Sequence, residues 1–132
     1  MCELCETTGG ILLWEDDFLR IIRVEMPEYG GFCRVILQRH VFEMTDLSLN
    51  DRNRLMNAVY AVEMALRNLY KPTKINLASL GNVVPHLHWH IIPRFSDDPH
   101  FPQPIWSNAV REQVHRPFID DEILKNEILK YL

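Results

Sequence analysis

The chain has no long apolar run, no run of lysine or arginine, and no internal repeat or low-complexity tract. A membrane-spanning helix needs about 18 or more consecutive apolar residues, so none is expected. Broad nucleic-acid surfaces need clustered positive charge. Here 14 Lys and Arg are set against 18 Asp and Glu, a net charge of −4, so nucleic acid is not an expected partner. A small anionic ligand stays open, because local groups decide its binding. The start, Met1-Cys2-Glu3, is no basic segment ahead of an apolar one, so no leader is expected and a cytoplasmic location is. Cysteine is scarce and odd in number, at three, which excludes a disulfide scaffold. With 132 residues the chain is long enough for one domain with a core and too short for two.

Against these absences stands His86-Leu87-His88-Trp89-His90. Successive strand side chains point to opposite faces. As a strand, the segment puts His86, His88 and His90 on one face and sends Leu87, Trp89 and Ile91 toward a core. Val83 and Val84 precede it and Ile91 and Ile92 follow. Pro93 is expected to stop it by removing a ladder donor. Imidazole serves as nucleophile, proton carrier or metal ligand near neutral pH, so the row is a candidate site.

Around it the pattern predicts α+β. Residues 11–14 and 18–24 read as a hairpin about the turn formers Asp16 and Asp17, and 32–37 as a third strand. Residues 47–69 read as the long helix, with Ser48 as cap, Asp51 at capping-box spacing, and a wide apolar face through Leu55, Val59, Val62 and Leu66. Lys71-Pro72 ends it, 74–80 is the fourth strand, and the histidine strand is the fifth. Pro99, Pro102, Pro104 and the nearby Pro117 make the next stretch irregular, and 118–132 reads as a terminal helix. The expectation is a five-stranded antiparallel meander with one long and one C-terminal helix. Cys33 is read as an inert core thiol. His100 and His115 are read as exposed loop residues.

The run Gly81-Asn82-Val83-Val84-Pro85-His86-Leu87-His88-Trp89-His90-Ile91-Ile92 resembles the signature of the histidine triad (HIT) superfamily of nucleotide hydrolases and transferases. The resemblance covers residues 2 to 106. It implies one domain over 1–132, with 107–132 as a C-terminal extension. It implies that His88 attacks the α-phosphorus of a nucleotide, such as a dinucleoside polyphosphate of the diadenosine tetraphosphate type. A nucleotidyl-histidine intermediate forms and is then hydrolysed. His90 would bind phosphate oxygens or the leaving oxygen, with His86 and His40 orienting the set. Asn76, Asn82 and the backbone near Val83 would supply donors to the nucleotide, Glu25 would meet the ribose, and Phe18 and Leu19 would flank the base. Trp106 would close over the substrate or anchor the tail. The resemblance also implies a homodimer through the long helix and a strand, and no metal in the chemistry itself.

The chain departs from the family pattern in having Asn82 where Gln is usual and Val83 where a hydroxyl is common. Cys2-x-x-Cys5 is half of a zinc site by itself. The resemblance completes it with His40 and His86 as a structural zinc site. Cleavage of nucleoside phosphoramidates, a nucleotide-binding module without turnover, and an open metal site on the three histidines stand as alternatives.

Overall fold

The computed structural model describes all 132 residues. In chain order the elements are α1 (Glu3–Glu6), β1 (Ile11–Glu15), β2 (Leu19–Arg23), β3 (Cys33–Leu37), α2 (Leu49–Tyr70), β4 (Lys74–Ala78), β5 (His88–Arg94) and α3 (Asp121–Leu129). All strand pairs are antiparallel, in the order β1-β2-β3-β5-β4. The sheet is therefore no simple meander. The chain leaves β3, crosses the back as α2, returns as the edge strand β4, and then places β5 between β3 and β4.

Strand parity divides the sheet into two faces. Leu19, Ile21, Cys33, Val35, Leu37, Leu87 and Ile91 point to the back, where they pack with α2 and α3 in one core of 20 buried residues. Burying a Leu or Ile contributes about 1.5–3 kcal/mol, so this layer dominates stability. The wide apolar face of α2 is used here: Leu55, Val59, Val62 and Leu66 are all fully buried. Ser48 caps the helix by accepting from the Asp51 amide at 3.1 Å. The Asp51 carboxylate binds Arg39 at 3.2 Å, so the box is single. Lys71 ends the helix in the left-handed conformation at φ 49°. No helix is long and apolar enough to cross a membrane.

Three expectations are corrected. Pro93 does not stop β5, which runs on to Arg94. β3 pairs with β5 from Ile91 back to His88, so the missing Pro93 donor falls beyond that ladder. The last helix begins at Asp121, capped by the Asp120 carboxylate accepting from the Glu122 amide at 2.9 Å; residues 118–120 lead into it. Phe18 and Leu19 belong to the back core under α2 and cannot flank a base on the histidine face.

The front face is crossed by three rows. Arg20, Ile36 and His88 form one, Ile22, Arg34 and His90 the next, and Val24, Phe32, Ile92 and Asn76 the third. α1 lies over part of this face, with Leu4 packed on Ile22 and Ile36. Arg20 fastens it, donating to the carbonyls of Leu4 at 2.6 Å, Thr7 at 3.0 Å and Thr8 at 2.9 Å.

Candidate active site

Each triad imidazole makes a different hydrogen bond, and each bond fixes a tautomer. A carbonyl only accepts, so the ring nitrogen facing one must carry the proton. His86 donates from Nε2 to the Leu37 carbonyl at 2.6 Å, which leaves its Nδ1 as a lone pair. His88 donates from Nδ1 to the His86 carbonyl at 2.5 Å, which leaves Nε2 as a lone pair with no protein partner. His90 does the reverse. Its Nδ1 accepts from Arg34 Nε at 3.3 Å, so its proton sits on Nε2.

All three rings are buried. Burial, helped by nearby positive charge, pulls the pKa values of His86 and His88 below the usual imidazole value. His90 is pushed down to about 3 by burial, then by Arg34 and His88. The rings are therefore neutral near pH 7. His88 and His90 meet edge to face at 4.9 Å, and Trp106 stands against His90 at 5.2 Å. Beside His88 a cleft of about 280 Å³ opens between residues 42–45 and 79–81. A roomier cavity of about 530 Å³ lies away from the triad imidazoles, under residues 113–118. Chemistry, not volume, locates the site at the smaller one.

The free Nδ1 of His86 points at a second cluster. It lies 3.4 Å from Cys2 Sγ, 3.4 Å from Cys5 Sγ and 3.3 Å from His40 Nδ1. All four donor atoms fall within 4.8 Å of one another. Zinc bonds at tetrahedral angles would set nitrogen from nitrogen by about 3.4 Å and sulfur from nitrogen by about 3.6 Å. Four of the donor pairs have about that spacing, at 3.3–3.4 Å, and thiolate and imidazole are the ligand types zinc prefers. These four residues fit a closed zinc site.

Other expected residues are less gathered. Asn76 is on the histidine face, but its amide oxygen accepts from Arg94 at 2.8 Å. Asn82 and Val83 sit on an exposed turn, with Val83 almost fully exposed, and neither lines the cleft. Glu25 is not brought to the triad. Parity sends Val24 to the front and Glu25 into the roomier cavity behind. His100 is no free loop residue, since it meets Tyr29 Oη at 2.6 Å, whereas His115 is exposed. The thiol of Cys33 is fully buried and pushed up to about 12 by that burial, as suits an inert core group.

Two features escaped the sequence reading. Arg34 stands directly across from His90. Its signal was a lone charge in an apolar strand where Cys33, Val35 and Leu37 already claim the core face. The other is the buried Arg94–Asp98 pair at 2.8 Å, at the start of the stretch read only as irregular chain.

The HIT domain family model matches residues 8–97. An uncharacterized HIT-like protein of Saccharolobus solfataricus is 26% identical over 140 residues, covering 96% of this chain and 99% of that protein. The asymmetrical bis(5'-nucleosyl)-tetraphosphatase of Schizosaccharomyces pombe is 31% identical over 77 residues, 54% of this chain and 42% of that enzyme. Among solved structures, a histidine triad protein of Marinobacter aquaeolei VT8 has a TM-score of 0.80 at 23% identity, covering 100% of this chain and 99% of that one. A histidine triad protein of Sinorhizobium meliloti 1021 has a TM-score of 0.76 at 24% identity, covering 100% and 96%. At these identities the two structures speak for the fold.

Proposed function

The chain belongs to the HIT domain family, and from that membership we propose that it cleaves a nucleotide conjugate at the α-phosphate through a nucleotidyl intermediate on His88. The family as a whole supports nucleotide hydrolase or transferase activity. The observation that carries the finer reading is the tautomer set. His88 Nε2 is an unprotonated nitrogen held ready by the His86 carbonyl, and His90 Nε2 is a proton-bearing neighbour. Nε2 of His88 forms a bond to phosphorus as the bond from phosphorus to the leaving oxygen breaks. A polyphosphate leaves as an anion and needs no proton. His90 donates a hydrogen bond to the charge growing on the phosphate oxygens. Water then attacks phosphorus and gives up a proton to solvent, the P–N bond breaks, and nucleoside monophosphate departs while His88 recovers its lone pair.

The partial likeness to a dinucleoside tetraphosphatase makes dinucleoside polyphosphates such as diadenosine tetraphosphate the first substrates to try. A panel of these, nucleoside phosphoramidates and nucleotide sugars, followed for monophosphate release, tests the reading. Phosphoramidate cleavage would keep the same intermediate and change the leaving group. Release from none of them would leave a binding module.

Zinc belongs to the same proposal, at Cys2, Cys5, His40 and His86. When bound, the ion ties α1 to the end of β3 and to the triad strand, with no part in the chemistry. Purified protein should carry about one zinc per chain. Cys5→Ser should lose it and lower the melting temperature by on the order of 10 °C, with turnover changed far less. Metal-free protein whose melting ignores added zinc would sink this assignment.

The protein is also proposed to be a homodimer. β4 is an edge strand with one open row of backbone groups. Glu63 and Arg67 of α2 line a groove with residues 72–75 beside that edge, one turn beyond the exposed Tyr60. Two such edges about a two-fold axis make a self-complementary patch. Light scattering at micromolar protein should give about twice the chain mass, and a monomer would contradict the proposal.

A further inference from the structure

Three guanidiniums project from the histidine face, and two are already taken. Arg20 is buried and donates to three carbonyls and to Gln38. Arg94 is buried and paired with Asp98. Arg34 is different. It is half-buried between Ile22 and His90 and makes no ion pair, the Glu3 carboxylate being felt only at a distance. Its one polar contact is the 3.3 Å bond from Nε to His90. The rest of its fork, four of five N–H groups, meets no acceptor in the chain. No buried polar atom is left unsatisfied, so those groups reach solvent, on the face that carries His90. Phe32 lies beneath the guanidinium at 5.6 Å and steadies it without neutralising it.

A cation drawn partly out of water with no bonded counter-ion costs free energy, so its place demands a reason. The site supplies one. A phosphate diester or anhydride under attack is an anion, and the nucleophile and its neighbours are neutral imidazoles. Something beside them must carry positive charge. Directly opposed side chains on neighbouring strands stand about 5 Å apart. Arg34 therefore stands beside His90, and its charge is felt at both His90 and His88. Arginine matches a phosphate with two parallel donors, which lysine cannot.

We propose that Arg34 is a catalytic, anion-holding residue, whose free N–H groups grip the non-bridging oxygens of the phosphate that His88 attacks. It also holds His90 in the tautomer that donates from Nε2. The inference rests on the phosphoryl-transfer reading of the triad, and the test separates the two. AMP, pyrophosphate and adenosine are titrated calorimetrically into wild type, Arg34→Gln and Arg34→Lys. Arg34→Gln should weaken AMP and pyrophosphate about 10- to 100-fold. Adenosine, which has no phosphate, should bind all three proteins alike. Arg34→Lys should recover part of the loss, and added salt should weaken AMP binding more in wild type than in Arg34→Gln. Equal AMP affinity in wild type and Arg34→Gln overturns the proposal, as does a wild type that binds neither AMP nor pyrophosphate. A mere brace for the fold would show as lowered melting in both variants, with AMP affinity unchanged in Arg34→Lys. Intact, Arg34-dependent AMP binding without turnover on any panel substrate would sink the reaction and leave Arg34 as the phosphate clamp.

Discussion

His88→Ala should release no detectable nucleoside monophosphate from any substrate that the wild type cleaves. The expected loss is on the order of 10⁴-fold or more, because removing a nucleophile removes the covalent path itself. No neighbour can replace it. His86 has its Nε2 on the Leu37 carbonyl and its Nδ1 among Cys2, Cys5 and His40. His90 has its Nδ1 occupied by Arg34 and a proton on Nε2. The fold should survive. His88 lies on the front face, outside the core of 20 residues packed under α2. Truncation removes one hydrogen bond, to the His86 carbonyl, at a cost of about 1–3 kcal/mol. Circular dichroism and melting establish that the variant is folded, and product analysis gives the rate. Activity near wild type in folded His88→Ala would rule out the nucleotidyl-histidine route.

The site's centre was legible because it rests on local periodicity. A period of two puts His88 and His90 on one face whatever lies around them. The α2 boundary at Ser48 was legible for the same reason, since a cap acts within one turn. What escaped depended on partners distant in sequence. The insertion of β5 beside β3 decides that Arg34 faces His90, and nothing within residues 32–37 announces that neighbour. Pro93 was misjudged because a proline blocks a strand only where a partner needs its donor, and β3 has ended by then. Glu25 was placed by resemblance where parity favours Val24. The meander was expected because consecutive strands most often pair, yet the α2 crossover breaks that habit. The short α1, four residues long, is too brief for a periodic pattern to reveal it. It exists because Leu4 is buried on Ile22 and Ile36 and because Arg20 holds its carbonyls.

Asp98→Ala should destabilise the protein by about 3–5 kcal/mol, the usual cost of breaking a buried charge pair from one side. Asp98 is 1% exposed and its partner Arg94 is 2% exposed. The carboxylate accepts from Arg94 Nε at 2.8 Å and Nη2 at 3.1 Å, and from Tyr29 Oη at 3.0 Å. It also accepts from the amides of Phe95 at 3.0 Å, His100 at 3.0 Å and Phe101 at 2.7 Å. Burial alone would raise its pKa, but Arg94 and the three amides outweigh that and hold it well below the usual carboxylate range. Removal would strand a buried guanidinium and three amides together. The melting temperature should fall by about 10–15 °C. The damage should also reach the site, because these bonds hold residues 95–106, which carry the buried Ile105 and bring Trp106 against His90. Arg94→Met combined with Asp98→Ala should cost less than the two single losses added, since no unpaired charge remains. Acid gives an independent check. A carboxylate with a depressed folded pKa stabilises fully above its unfolded value of about 3.9, and that stability is lost as pH falls toward the folded pKa. Wild-type melting should therefore drop steeply below about pH 4, and Asp98→Asn should flatten that drop. Equal acid slopes in the two proteins, with a loss under about 1 kcal/mol for Asp98→Ala, would mean that Arg94 finds its partners elsewhere. Its bonds to the Gln103 carbonyl at 2.7 Å and Asn76 at 2.8 Å would then carry residues 95–106 alone.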